Sequence, residues 1–442
     1  MSERYIDHAP ETVRAVVVDP DIDVRGQAPV AAMRLDDESR LEEAVGLALA
    51  LDVEIAGTLA IRVRKLNPAT LFGAGKVSEI KALCDDVQAT LCIVNGALTP
   101  IQQRNLETET GVKVIDRTGL ILEIFGRRAR TKEGKLQVEL ARLEYERSRL
   151  VRTWTHLERQ RATGTTGGPG ETQIELDRRM IADKIKQLKA ELEEVRRTRH
   201  LHRVQRKKVP YPIIALVGYT NAGKSTLFNH LTHAQVVAKD MLFATLDTTL
   251  RTLKLPNGRS GMLSDTVGFI SDLPHELVAA FRATLEEVEQ ADLILHVRDV
   301  SNPETEAQKQ DVEQVMGQIL PDLDRARMFE VWNKIDLLDA DSKDILYARA
   351  IHDRSANKPM MVSAISGEGI EALLSQIALL VDADGEENQI VLDPHQGELL
   401  AFLYAHGRVL DRHDGDDGRI HLRVKLSDMA YGRYERMLAG KA

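Results

Sequence analysis

At 442 residues, 43% of them apolar, the chain can bury real cores in roughly two to four domains. Its net charge of −9 excludes a protein coated in nucleic acid along its whole length, but leaves room for one basic patch. Two cysteines, Cys84 and Cys92, in an apolar context without histidine neighbours exclude a zinc site and read as buried reduced thiols.

The N-terminal MSERYIDHAP has neither the basic run nor the apolar core of a signal peptide. The most apolar early stretch, AVGLALALDVEIAG, is interrupted by Asp52 and Glu54, short of the ~20 apolar residues a spanning helix needs. The expectation is a cytoplasmic, soluble monomer with no membrane insertion.

From Thr12 to about Glu133 strand and helix patterns alternate. TVRAVVV, VEIAGTLAIRV, TLCIVN and VKVID read as strands, and Glu38–Leu51, Lys76–Asp86 and Pro100–Thr110 as helices. Alternation of this kind predicts a parallel sheet. The first domain is placed at 1–133. The GAGK of Gly73–Lys76 lacks an upstream glycine and reads as a turn into a helix.

The stretch 134–208 has no strand pattern. Leu136, Leu143, Leu150 and Leu157 recur every seven residues, with Leu140 and Trp154 offset by four. Ile181, Ile185, Leu188, Leu192 and Val195 repeat at 4-3-4-3 spacing. Both are coiled-coil seams. Between them lies ATGTTGGPGE, so the prediction is an antiparallel helical hairpin with Gly164, Thr165, Thr166, Gly167, Gly168, Pro169 and Gly170 at its tip. Some 24 residues per arm reach ~36 Å. The segment Ala141–Lys208 holds 18 Lys+Arg and 10 Asp+Glu, a local +8. Arg127, Arg128, Arg130 and Lys132 extend it. Such a stripe suits RNA phosphates, with binding that weakens with salt. A solvated coiled coil is the plainer alternative.

The third segment, 209–384, alternates strand and helix again and carries the motifs. IIALVGYTNAGKST sets an apolar strand directly before G-x-x-x-x-G-K-S, and the helix TLFNHL follows. That context defines a phosphate loop: Gly218, Tyr219, Thr220, Asn221, Ala222, Gly223, Lys224, Ser225 and Thr226 wrap the phosphates. Lys224 bridges the β- and γ-phosphates, and the Ser225 hydroxyl ligates Mg²⁺. DTVG follows a strand: Asp265 holds Mg²⁺ through water, Thr266 and Val267 lie on the loop, and the Gly268 N–H senses the γ-phosphate. NKID supplies Asn333, Lys334, Ile335 and Asp336. Asp336 is an acceptor-only carboxylate that pairs with the two donors on the guanine edge, which adenine lacks. SAIS contributes Ser363, Ala364 and Ile365 through backbone N–H groups. Four motifs in this order predict a GTPase binding GTP and GDP. The first switch lies within FATLDTTLR, where Thr245, Thr248 and Thr249 are candidate Mg²⁺ ligands beside Phe243, Ala244, Leu246 and Asp247. Phe269 occupies the place where many GTPases carry a water-orienting glutamine, so the enzyme is slow alone or another group positions the water. Asn221 is a candidate ligand for K⁺, or else a turn-stabilising side chain. The remaining segment, 385–442, reads as a small α+β domain, with DRHDGDDG as a hairpin turn because its spacing fails the calcium-loop pattern.

With these residues in hand, the whole chain resembles an HflX-type GTPase. NPATLFGAGKVSEI, WTHLERQ, GPGETQIELDRR, GYTNAGKSTLFN, FATLD and DTVGFISDLPHELVAAFRATLEE are similar to family blocks in sequence order. The resemblance implies an N-terminal α/β domain joined to a helical coiled-coil hairpin, a P-loop GTPase domain with a doubly wound sheet, and a C-terminal domain. The FATLD stretch resembles an FTTL-type switch, which favours Thr245 as the Mg²⁺ ligand. It further implies binding of the large ribosomal subunit and its rRNA near the peptidyl-transferase centre, splitting or rescue of stalled ribosomes, and hydrolysis stimulated there. A small-residue tip on a stiff hairpin fits a narrow RNA crevice, where shape and backbone contacts dominate. Two departures stand out: Thr166 and Gly167 replace a basic residue common before GPGE, and DTT at 247–249 replaces DPT, which loosens the switch backbone. Alternatives are a GTP-switched scaffold gripping a protein partner through its coiled coil, and a ribosome assembly factor.

Overall fold

RAVVVDPDI is β-branched and apolar, and it forms β1 (Arg14–Ile22), paired in parallel on both edges. The computed structural model describes residues 13–22, 37–160, 169–206, 211–233, 242–243, 245–246, 248–256, 258–271, 287–321, 323, 327–352, 358–382, 386–393, 395–406, 408–415, 418–426 and 428–439. With β2 (Glu54–Val63), β3 (Leu91–Val94) and β4 (Lys113–Asp116) the first strand makes a parallel sheet of order β2-β1-β3-β4. The helices α1 (Asp37–Leu49), α2 (Ala74–Asp86) and α3 (Pro100–Thr110) connect its strands. The start of α3 is set by a capping box between Thr99 and Gln102 with Pro100 in the first turn, and its end by Gly111 at φ 79°. Cys84 on α2 and Cys92 on β3 are buried and unbridged.

A fourth helix, α4 (Arg117–Arg128), was not anticipated from the sequence. Leu120, Ile121, Leu122, Ile124 and Phe125 are buried on one face while Glu123, Gly126 and Arg127 lie on the other, an amphipathic helical period that the sequence reading passed over. Asp116 caps it, accepting from the Gly119 N–H at 2.8 Å.

The hairpin arms are α5 (Lys132–Gln160) and α6 (Pro169–Arg206). Leu136, Leu188 and Leu192 are buried in the seam, with Leu140, Leu143 and Val195 packed on them. The side chains of Leu150, Trp154 and Leu157 lie outside the described residues. Both arms exceed the expected 24 residues, at 29 and 38. The first begins early because the Thr131 hydroxyl accepts from the Gly134 N–H at 2.9 Å. The second runs on because no helix-breaking residue occurs before Pro210.

The central sheet contains β5 (Ile213–Val217), β6 (Thr249–Lys254), β7 (Ser260–Asp265), β8 (Leu293–Asp299), β9 (Met328–Asn333) and β10 (Met360–Met361). Their order is β10-β9-β8-β5-β7-β6, parallel except for the antiparallel edge strand β6. The helices α7 (Lys224–Thr232), α8 (Thr305–Ile319), α9 (Ala340–His352) and α10 (Ile370–Asp382) accompany it. One face packs on α7 and α10 through Ile214, Leu216, Phe228 and Leu373. The other continues an apolar cluster that begins under the N-terminal sheet at Val17 and Leu120 and passes Phe125, Phe243 and Phe269 to Val217. The catalytic sheet and the first domain therefore share one core. The chain closes with β11 (Glu386–Leu392), α11 (Gly397–His406), β12 (Arg408–Asp414), β13 (Ile420–Leu426) and α12 (Asp428–Ala439), a sheet of order β11-β13-β12. Strands β12 and β13 pair antiparallel, and Asp411–Asp414 of DRHDGDDG lie within β12, so the expected turn is confined to the residues after Asp414. Among the described residues, no helix is long and apolar enough to cross a membrane.

Candidate nucleotide site

Strand β5 delivers the chain into Gly218, and Gly223 at φ 91° caps α7. A side chain at Gly223 would run into the Asn333 amide, so glycine is required on both conformational and steric grounds. Lys224 opens the helix and is buried, its ammonium donating to the carbonyls of Gly218 (3.0 Å) and Tyr219 (2.6 Å). Burial pulls its pKa down to about 8, against the pull of the nearby Asp265 carboxylate. In this conformation DTVG lies against the phosphate loop: Thr220 N–H donates to Phe269 O at 2.7 Å, and Phe269 N–H to Gly218 O at 3.1 Å. A Cβ on Gly268 would lie 2.9 Å from the Thr220 Cα.

Three hydroxyl and carboxylate groups converge beside Lys224. Asp265 Oδ2 accepts from Ser225 Oγ (2.7 Å) and Thr245 Oγ1 (2.9 Å), and the two hydroxyls are 2.9 Å apart. Burial raises the Asp265 pKa, offset by Ser225, Lys224 and Thr245. Its other oxygen, Oδ1, is buried without a hydrogen-bond partner among the described residues. An orphaned carboxylate oxygen next to two hydroxyls is the hard-oxygen donor set of a Mg²⁺ site, so the residues fit the ion that the fold implies. Of the other threonines, Thr249 begins β6 and pairs with Asp265 across the strands.

At the base end, Asn333 bridges two loops. Its amide donates to Ala222 O (2.9 Å) and its Oδ1 accepts from Ala364 N–H (3.0 Å). Asp336 is exposed. Lys334, at φ 67°, pairs with Asp299 at 2.7 Å. Ser363 is buried and Ile365 is 76% exposed.

Several predicted site residues turn their side chains elsewhere. Ile335 is buried with Trp332 and Met361. Phe243 packs edge-on to Phe125 at 4.7 Å between ring centroids, and Leu246 and Val267 join the same cluster. Thr266 donates to Leu216 O. Phe269 is buried in the shared core. Asn221 is exposed at φ 59°, a left-handed conformation that asparagine tolerates well. Thr226 follows Ser225 within the first turn of α7, and Thr248 adjoins β6. Pro169 and Gly170 open α6. Gly164, Thr165, Thr166, Gly167 and Gly168, together with Ala244 and Asp247, lie outside the described residues.

Tyr219 points away from the phosphates as well. Its hydroxyl donates to the Glu43 carboxylate on α1 and lies 2.6 Å from the Oγ of Ser271, three residues past DTVG. Glu43 also pairs with Arg117 at 2.6 Å, and Arg117 donates to Ser271 O at 2.8 Å. Ser271 in turn donates to Asp311 on α8 at 2.7 Å. Sequence reasoning missed the roles of Glu43, Arg117, Ser271 and Asp311: only Ser271 stands in a quoted block, and its partners Arg117 and Asp311 lie 154 and 40 positions away.

Comparisons with known proteins agree with this geometry. Family models match consecutive segments: GTP-binding GTPase N-terminal over 38–126, GTP-binding GTPase middle region over 128–206, 50S ribosome-binding GTPase over 213–334 and HflX C-terminal domain over 348–442. GTPase HflX of Magnetococcus marinus is 49% identical over 396 residues, covering 89% of this chain and 90% of the relative. GTPase HflX of Escherichia coli K12 is 41% identical over 392 residues, covering 88% and 90%. A GTP-binding protein from Sulfolobus solfataricus, solved in complex with GDP, is 24% identical with a TM-score of 0.45, covering 84% of this chain and 99% of that one. A GTP-hydrolysing site on a P-loop α/β fold, set among these relatives, makes the chain a member of the GTPase HflX family.

Proposed function

We propose that this GTPase binds the large ribosomal subunit in the cytoplasm, as a monomer, with its hairpin tip against rRNA near the peptidyl-transferase centre, and that it splits or rescues stalled ribosomes. The observation that carries the reading is the polar chain between the nucleotide loops and the hairpin. Ser271 and Tyr219 meet Arg117 and Glu43. The neighbour of Arg117, Asp116, holds the hairpin through Arg149 (2.6 Å) and Tyr145 (2.6 Å). A change at the γ-phosphate thus has a short mechanical route to the base of a stiff arm bearing a local +8. The match to a family model described as a 50S ribosome-binding GTPase supports the same partner.

Within the site, Ser225 and Thr245 would hold Mg²⁺ directly and Asp265 through water. The ion, when bound, neutralises charge on the β- and γ-phosphates. Lys224 turns from the loop carbonyls to the phosphates, and the Gly268 N–H reports the γ-phosphate. Asp336 reads the guanine edge, and Asn221 is the proposed K⁺ ligand. With Phe269 buried, no side chain of DTVGF orients water, so hydrolysis is slow until a large subunit completes the site.

GTP turnover measured with and without purified large subunits tests this reading, alongside co-sedimentation in a GTP analogue and in GDP. Strong stimulation and analogue-dependent binding are expected. Absence of both removes the ribosome from the proposal. Bulky replacements of Gly167–Gly170 should abolish splitting while leaving nucleotide binding intact; if splitting survives, the tip is not the working end.

A further inference from the structure

The SAIS loop is self-closed. Ser363 N–H donates to Glu368 O at 2.9 Å, Gly367 N–H to Ser363 O at 2.9 Å, and Ser366 N–H to Ser363 Oγ at 3.0 Å. Two side chains from outside reach its backbone at Ala364. One is Asn333. The other is His230 on α7, whose Nδ1 lies 3.1 Å from Ala364 O. A carbonyl can only accept, so Nδ1 carries the proton, as it does both in one neutral tautomer and in the imidazolium. The ring lies against Gly367: a Cβ there would come 3.2 Å from His230 Cε1. Gly367, at φ 86°, therefore keeps the slot open.

His230 shares its helix with Lys224 and Ser225, the residues at the phosphate end. One short rigid element thus fixes the phosphate loop at its start and the base loop six residues later. We infer that His230 is a positioning residue for guanine, holding the Ala364–Ile365 backbone at the distance from the phosphate loop that a bound guanine nucleotide spans. It acts through the loop and not on the reacting atoms, so its effect falls on nucleotide retention. Six residues past the motif lysine, in no motif pattern, it escapes sequence reading.

Stopped-flow dissociation of fluorescent GDP tests this. Losing one half-buried hydrogen bond predicts about fivefold to tenfold faster GDP release for His230→Ala. His230→Asn, which keeps a donor at similar reach, should release GDP within twofold of the parent. The diphosphate of 2-aminopurine riboside, which is GDP without its 6-oxo group, has no oxygen for the loop N–H groups. Its release should be the same from the parent and His230→Ala. The inference is overturned if His230→Ala releases GDP at the parental rate, if His230→Asn is as fast as His230→Ala, or if the 6-oxo-lacking analogue is accelerated as much as GDP.

Discussion

The second residue of the phosphate loop, Tyr219, hydrogen-bonds the Glu43 carboxylate of the N-terminal domain across 176 positions of sequence. Burial, and then the Glu43 charge, raise the phenol pKa, so Tyr219 stays protonated and remains the donor. Tyr219→Phe keeps the ring in the shared core but leaves Glu43 and the Ser271 N–H each short of a partner. The expected cost is about 1.5–3 kcal/mol in urea unfolding, the scale of a hydrogen bond to a charged group. Combined with Glu43→Gln, the losses should be non-additive by about 1 kcal/mol or more. GDP affinity should stay within twofold, because the hydroxyl faces the other domain.

Lys224 gives the nucleotide site a pH dependence. The ligand-free lysine releases its proton near pH 8, below its ordinary 10.5, whereas a lysine on phosphate oxygens keeps it. Between these values binding takes up a proton, so GDP affinity should be flat below pH 8 and should weaken as pH rises toward 9. The slope should approach tenfold per pH unit. For the ligand-free fold the sign is opposite: a buried ammonium costs stability at neutral pH, and that cost is relieved as pH climbs from 8 to 10.5. Titrations of fluorescent GDP from pH 7 to 9 check the first statement, and urea midpoints over a wider range check the second.

The close grouping of Ser225, Thr245 and Asp265 separates the three switch threonines. Thr245→Ala should raise the Mg²⁺ concentration needed for half-maximal GTP turnover by about tenfold or more, the effect of losing one support of a metal site. Thr245→Ser should restore most of it. Thr249→Ala changes a residue on the edge strand β6 and should leave the Mg²⁺ dependence as it was. Turnover against Mg²⁺ concentration for the three variants reads this directly.

The base of the hairpin makes its own prediction. Asp116 is buried, and its charge is met by Arg149, Tyr145 and the N–H groups of Leu98 and Gly119. Arg149 also donates to Leu98 O and stacks on the Tyr145 ring. Arg149→Ala removes the cation that pairs with the buried Asp116 carboxylate at 2.6 Å, at a cost of about 3–5 kcal/mol. Arg149→Lys should recover only part, because an ammonium lacks the planar fork. Urea unfolding of the three proteins measures the difference.

What could be read in advance was what is local. Gly218 through Thr226 announce themselves because strand, loop and helix are contiguous. The seam leucines do so because one helix face repeats every seven residues. Helix α4 was legible as well, since Glu123, Gly126 and Arg127 face away from its buried apolar side, but the sequence reading passed it over. The pairing of Glu43, Arg117 and Ser271 was not legible: the contact of Arg117 with Ser271 spans 154 positions, and which pairs meet over that range depends on how two sheets dock. Thr245 was favoured over Thr248 and Thr249 by the likeness of FATLD to an FTTL-type switch, and its hydroxyl lies 2.9 Å from Asp265. The seam also underestimated its own arms, because a leucine repeat marks where two helices touch and not where each one ends.

Helix α6 outlasts its partner by nine residues and ends only seven positions before β5, the strand that carries the phosphate loop. At 38 residues it is a rod of ~57 Å. A pivot of about 10° at the end near β5 would carry the far end of such a rod through ~10 Å, about the width of a helix.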